Sequence, residues 1–163
     1  MDNTPLSIFA AAAQHLVVGT PTSRCCTWRT TRWDDDFDLS STLRYLRAEG
    51  DDPDELLLQR YAALHEQHIT IDLAGIGKQA SWIELLEDEF VDYASFRHIR
   101  ETNAYSTIVT FTTPAISDSK DLAFLELWTE DGRYAQMGCW WWLQMRLTSR
   151  GWNVDWKNMH AMS

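Results

Sequence analysis

Residues 134–147 read YAQMGCWWWLQMRL, and the spacing of apolar side chains in this stretch decides the fold class. Its odd positions, Ala135, Met137, Cys139, Trp141, Leu143, Met145 and Leu147, form an unbroken apolar row. Successive side chains of an extended backbone leave opposite faces, so a period of two predicts a long strand with one buried face. The even row, Tyr134, Gln136, Gly138, Trp140, Trp142, Gln144 and Arg146, is polar at its ends and carries two indoles in its middle. That second face is either covered by the chain's own helices or kept open for a partner.

Working outward, Leu122 to Trp128 predicts a preceding strand, joined through Glu130, Asp131 and Gly132. Asp-Gly supplies the positive φ that a tight hairpin turn needs. On the other side Ser149-Arg150-Gly151 predicts a second turn, after which Trp152, Val154 and Trp156 alternate with Asn153, Asp155 and Lys157. The expected unit is a three-stranded meander. Upstream, Ile108 to Phe111 reads as a strand that ends before Pro114, with Phe96 to Glu101 as its hairpin partner.

The amino-terminal half has helical punctuation. Thr4-Pro5 predicts a start, with a helix running to about Val18 before Gly19 and Pro21 stop it. Arg24 to Trp33 alternates as a strand or extended connection. Leu39, Leu43 and Leu46 carry a short helix closed by Gly50. In Asp52-Pro53-Asp54-Glu55 a capping Asp52, Pro53 at the first helical position and Glu55 predict the next helix, with Leu57, Tyr61, Leu64 and His68 on one stripe. Gly75 and Gly77 mark a break. Ser81 to Glu84 is a further capping box, leading into a stripe of Trp82, Leu85, Leu86, Phe90 and Tyr93. Helices first and strands afterwards predict an α+β fold, with N-terminal helices packed on a C-terminal antiparallel sheet of about four to five strands. One domain over residues 1–163 is expected, mainly helical to about residue 95 and mainly sheet beyond.

Charge narrows the function classes. Twenty-four Asp and Glu against 14 Lys and Arg leave a formal charge of −10 and a pI near 4.8. Nucleic acids and anionic membranes repel such a surface, whereas a basic protein partner is attracted by it. Cys25, Cys26 and Cys139 are too few for a disulfide framework and fit a reducing, cytoplasmic setting. The apolar segment Pro5 to Val18 follows Asp2 with no Lys or Arg, unlike a secretory leader.

Several groupings carry possible chemistry. His65 and His68 stand three apart around Glu66, one residue short of the metalloprotease spacing and without a third ligand, and the plainer reading is a surface or half-buried pair. Cys25-Cys26 lacks the spacer of zinc and thioredoxin-like sites. Ser117-Asp118-Ser119-Lys120 matches a four-residue acyltransferase pattern without its companions and reads as a polar turn. No cofactor, metal or catalytic set is read from these.

Glu126 is the most informative polar residue. It lies between Phe124 and Trp128 on one strand face, and if that face meets Trp140 and Trp142, desolvation raises its pKa toward acid-base use. In the plainer reading Ala123, Leu125 and Leu127 make the core face and Glu126 looks outward, paired with Arg146. The acidic runs Asp34-Asp35-Asp36 with Asp38, Asp51 to Glu55, and Glu84, Glu87, Asp88, Glu89 and Asp92 are either solvated helix ends or one converging negative surface. In the second case Trp33, Trp140 and Trp142 are the anchor side chains.

The closing segment, a long strand, Arg150-Gly151 and then Trp152-Asn153-Val154-Asp155-Trp156 with a polar end at His160 and Ser163, resembles the final hairpin of nuclear-transport-factor-like α+β rolls. It is similar also to the ends of many small bacterial proteins of unknown role. The resemblance covers about 40 residues and implies a cone with an interior pocket, where an Asp and a His do acid-base work in the family's enzymes. No position here matches that motif.

Two functions are expected. The first is a non-catalytic, acidic protein-binding protein, like an immunity protein or antitoxin that inhibits a basic toxin or enzyme, with Trp33, Asp34, Asp35, Asp36, Glu126, Trp140 and Trp142 as its binding residues. The alternative is a roll with a small-molecule pocket, an isomerase or hydrolase using Glu126.

Overall fold

The computed structural model describes residues 4–17, 25–86, 107–131 and 138–162. In chain order these form α1 (Pro5–Val17), β1 (Cys25–Thr27), α2 (Leu39–Ala48), α3 (Glu55–Glu66), α4 (Ile76–Gln79), β2 (Ile83–Leu85), β3 (Thr107–Phe111), β4 (Ala115–Ile116), β5 (Leu122–Asp131), β6 (Gly138–Thr148) and β7 (Gly151–Met162). The fold is α+β. Gly132, Met137, the Phe96–Glu101 partner strand and the Phe90 and Tyr93 stripe lie outside the described residues.

The meander forms as its alternation requires. β5, β6 and β7 pair in sequence and antiparallel, with Leu125 opposite Leu143 and Glu126 opposite Trp142. Leu143 and Met145 are fully buried. Gly151 has a φ of 101° in the β6–β7 turn, a conformation other residues adopt only with strain. Gly138 opens β6 because an indole lies where a side chain would go: a Cβ there meets Trp128 Nε1 at 2.4 Å.

The sheet differs from the expectation in size and direction. It has seven strands in the order β2-β1-β3-β5-β6-β7, with β4 pairing β5. β1 runs parallel to both β2 and β3, so the sheet is mixed and two of its strands come from the amino-terminal half. The predicted helix start at Ser81–Glu84 is the cause. Ile83–Leu85 is extended and pairs with the buried β1, because a buried ladder satisfies backbone groups that local helix signals leave unpaired. Among the described residues all four helices lie between Pro5 and Gln79, but β1 and β2 lie among and just after them, so helices and strands are not cleanly segregated along the chain.

Each sheet face has its own core. On one face Val109, Leu125, Leu127, Leu143, Met145 and Trp152 pack against Ile8, Phe9, Ala12 and Ala13 of α1 and Ile76 of α4. On the other, Phe124, Trp142 and Trp156 pack against Leu43 and Leu46 of α2 and Leu57, Leu58 and Tyr61 of α3. A small third cluster joins Cys26, Trp28, Leu86 and Ile108. Cys25 and Cys26 thus face different cores as neighbours on a strand must, which excludes a shared redox or metal role, and burial pushes the Cys25 thiol up to about 12.

Helix α3 begins two residues after the predicted start. Asp54, not Asp52, caps it, accepting the Leu57 N–H at 2.9 Å, while its own N–H donates to Gln144 Oε1 at 3.1 Å. Its inner stripe is Leu57, Leu58, Tyr61 and His65, and His68 lies beyond its end with a φ of 53°. Among the described residues no helix is long and apolar enough to cross a membrane.

Two irregularities in β7 decide what it presents. The register with β6 shifts between Gln144 and Met145 and again between Trp140 and Trp141, leaving Asp155 and His160 as extra residues. The first bulge reverses the alternation, so that Trp152 and Val154 join the α1 core while Trp156 joins the α2–α3 core. The three do not share the face that strict alternation predicted for them.

Candidate functional site

The α2–α3 face holds a hollow. Glu126 of β5, Trp140 and Trp142 of β6 and His160 of β7 form its floor, and Arg32, Asp34, Asp36, Phe37 and Asp38 with Ser41, Thr42 and Tyr45 of α2 form its rim. The cavity measures about 660 Å³.

Glu126 is the deepest charge, only 3% exposed. Its backbone is fixed by Thr112 on the neighbouring strand, whose hydroxyl donates to Glu126 O at 3.0 Å and accepts the Glu126 N–H at 2.8 Å. Tyr61 of α3 donates its hydroxyl to the same Thr112 oxygen at 2.8 Å. The carboxylate accepts the Trp142 indole N–H at 3.1 Å and lies 3.3 Å from His160 Nε2. That second approach is close enough for a charge contact but not aligned as a hydrogen bond, and Nε2 makes none. The imidazole instead lies flat on Trp142, with centroids 3.8 Å apart and planes at 7°.

The aromatic walls hold one another. Trp140 stands edge-on to Trp128 with centroids 4.1 Å apart, and Tyr45 meets Trp142 at 5.9 Å. The Arg32 guanidinium sits 5.1 Å over the Trp140 ring, within cation–π range.

Asp34 completes the group. Its carboxyl lies near enough to Glu126 to feel that charge, and its Oδ1 accepts the Asp36 N–H at 3.1 Å. Burial first, and then the Glu126 charge, push the Asp34 carboxyl up to about 6. Asp34 therefore retains its proton to higher pH than an ordinary carboxylate does. The Asp34 N–H donates to His65 Nδ1 at 2.6 Å, and His65 Nε2 donates to Thr113 O at 3.0 Å, which fixes the tautomer. Burial lowers the His65 pKa, so the ring serves as a neutral strut.

Five of the seven residues singled out from the sequence line this cavity: Asp34, Asp36, Glu126, Trp140 and Trp142. Trp33 and Asp35 do not. Trp33 stacks on His68 at 4.7 Å and donates to Asp35 Oδ2 at 3.1 Å, while Asp35 Oδ1 meets His68 Nε2 at 2.7 Å. His65 and His68 are therefore committed to different partners, not to a common metal, and His65 is buried rather than at the surface. Among the described residues no group of three or more His, Cys, Asp or Glu is placed to hold a metal ion.

The outward reading of Glu126 is corrected, since α2 and α3 cover its face. Arg146 does not neutralise it but pairs with Asp155 at 3.1 Å. The described acidic residues are spread over two recesses, with Asp34, Asp36 and Asp38 in this one. Asp52, Asp54 and Glu55 border a separate recess with Gln144, Arg146, Asp155 and Trp156, and Glu87 to Asp92 lie outside the described residues. Sequence reasoning missed Arg32 and His160. Strict alternation assigns His160 to the row of Trp152, and only the bulges bring it to the cavity, a signal absent from the composition.

No protein-family model, curated protein or solved structure matches the chain.

Proposed function

We propose that the protein binds a small molecule in this cavity and moves a proton on it, as an isomerase or hydrolase does. The observation that carries the reading is a buried Glu126 lining one cavity with Asp34, whose carboxyl burial raises to about 6, between indole walls. Emptied, the carboxyl pair is a base within reach of a bound ligand; loaded, it is an acid. In an isomerisation Glu126 takes a proton from one ligand atom, the pair stores it, and Asp34 returns it to another atom, so no further reagent is consumed. The Trp142 indole N–H holds the Glu126 carboxylate in place. The cavity volume falls within the roughly 300–1,000 Å³ of small-molecule sites.

The test is a thermal-shift screen of small polar aromatic compounds on the full chain and on Glu126→Gln. A compound that raises the melting temperature of the parent and not of the variant supports the reading. Compounds that stabilise both equally, or none at all, count against it.

A second reading, the acidic immunity- or antitoxin-like protein, draws support from the rim. Trp33 and Tyr45 are 39% and 41% exposed beside Asp35, Asp36 and Asp38. It predicts a 1:1 complex with a basic protein that weakens with salt and with Trp33→Ala.

A further inference from the structure

The pocket reading leaves the charge of the ligand open, and the lining addresses it. Among the described residues of the lining, four carboxylates, Asp34, Asp36, Asp38 and Glu126, face one fixed cation, Arg32. Asp38 is engaged at the start of α2, where it accepts the Ser41 N–H at 2.6 Å and is held below its usual pKa. Glu126 is buried beside two indoles. A buried carboxylate is costly unless something positive or a proton compensates it. Below about pH 6 Asp34 holds a proton beside it, and above that Asp34 adds its own charge. The Arg32 guanidinium over Trp140 shows that this indole already accepts an organic cation on its face.

Resting on the pocket reading, we infer that the cavity takes a small organic cation, a protonated amine or quaternary ammonium on an aromatic or alicyclic body. Its charged end lies beside Asp34 and Glu126, and its body lies between Trp140 and Tyr45. An anion of the same shape meets the carboxylates at close range. A bare ammonium or metal ion leaves most of the space unfilled, which is why the cation needs a body. Below about pH 6 the charge of the ligand displaces the proton that Asp34 holds, and above it the ligand meets an Asp34 already emptied, the base that the proposed chemistry requires. The other charged or titratable groups facing the pair are Arg32, Asp36, Asp38, Tyr45 and His160 in the lining, with Tyr61 and His65 behind it.

The experiment uses four isosteric probes on the full chain: benzylamine, benzyltrimethylammonium, benzyl alcohol and benzoate. Binding is read by tryptophan fluorescence and calorimetry. At about pH 7.5 the two cations bind at least about tenfold tighter than the alcohol, and benzoate binds weakest. Asp34→Asn and Glu126→Gln each weaken benzylamine by about tenfold or more while leaving benzyl alcohol within about threefold. Benzylamine affinity falls as pH is lowered through about 6, because the Asp34 proton then competes, and calorimetry in buffers of different ionisation enthalpy registers proton release. Tighter binding of the alcohol or benzoate overturns the cation and leaves the pocket reading standing. Absence of binding by all four overturns both. If neither variant folds, the order of the four probes on the parent chain decides.

Discussion

The two faces of one sheet are built from the same three long strands and have opposite characters. The α1 side is closed by apolar side chains, aliphatic on β5 and β6 with Phe9, Phe111 and Trp152 around them, and the buried core residues of β5 and β6 there have no exposure. The α2–α3 side carries indoles, a buried Glu126 and a cavity of about 660 Å³. The difference teaches where stability and chemistry are kept. Burial of carbon stabilises without regard to direction, whereas the polar face works only while each group retains its partner.

The largest expected effect lies on the closed face. Leu143→Ala is expected to cost about 2–5 kcal/mol by urea denaturation while leaving ligand binding in the folded fraction unchanged. Equal loss of binding would mean that the faces are not separable. Gly138→Ala acts on the other side. A methyl group 2.4 Å from the Trp128 indole forces that ring against Trp140, and a cost of about 1–3 kcal/mol accompanied by altered tryptophan fluorescence is expected.

The next effect is one of sign. The folded protein holds the Asp34 carboxyl at about 6, above its ordinary 3.8, so between these values the native state binds more protons than the unfolded chain and stability falls as pH rises. His65, lowered by burial, acts oppositely, and its contribution is lost as pH falls below its ordinary value of 6.5. Asp34→Asn is therefore expected to be more stable than the parent at neutral pH, with the gap closing below about pH 4. Midpoints in urea across pH check this, and a variant less stable at neutral pH would contradict the buried pair. The smallest effect belongs to the exposed Arg47–Glu55 ion pair at 3.0 Å, where Arg47→Ala is expected to change stability by less than about 1 kcal/mol.

Legibility followed the same division. The closed face was readable because a run of apolar residues at period two leaves one register that buries them, and Leu143 and Met145 are where that pattern puts them. The meander followed. β2 was not readable, since Ser81–Glu84 carries helix-capping residues and only its neighbour β1 makes it a strand. The start of α3 was misplaced for a similar reason: Gln144, 90 positions away, engages the Asp54 N–H. At the cavity, Asp34, Asp36, Glu126, Trp140 and Trp142 stood out as residue types in unusual company. Whether Glu126 turned in or out depended on which helices cover the sheet, and no local pattern encodes that.

A pleated strand counts in twos, and β7 adds one residue at Asp155 and another at His160. Each addition changes the parity of everything after it, and the second restores what the first reversed. Strand length, more than residue identity, therefore sets the cavity floor. A conservative exchange at either position swaps one side chain, but excising a paired residue such as Lys157 puts Asn158 opposite Leu143, turns it and His160 through to the opposite side and drags the imidazole off its indole. In this strand frame-preserving deletions are the lesion to fear.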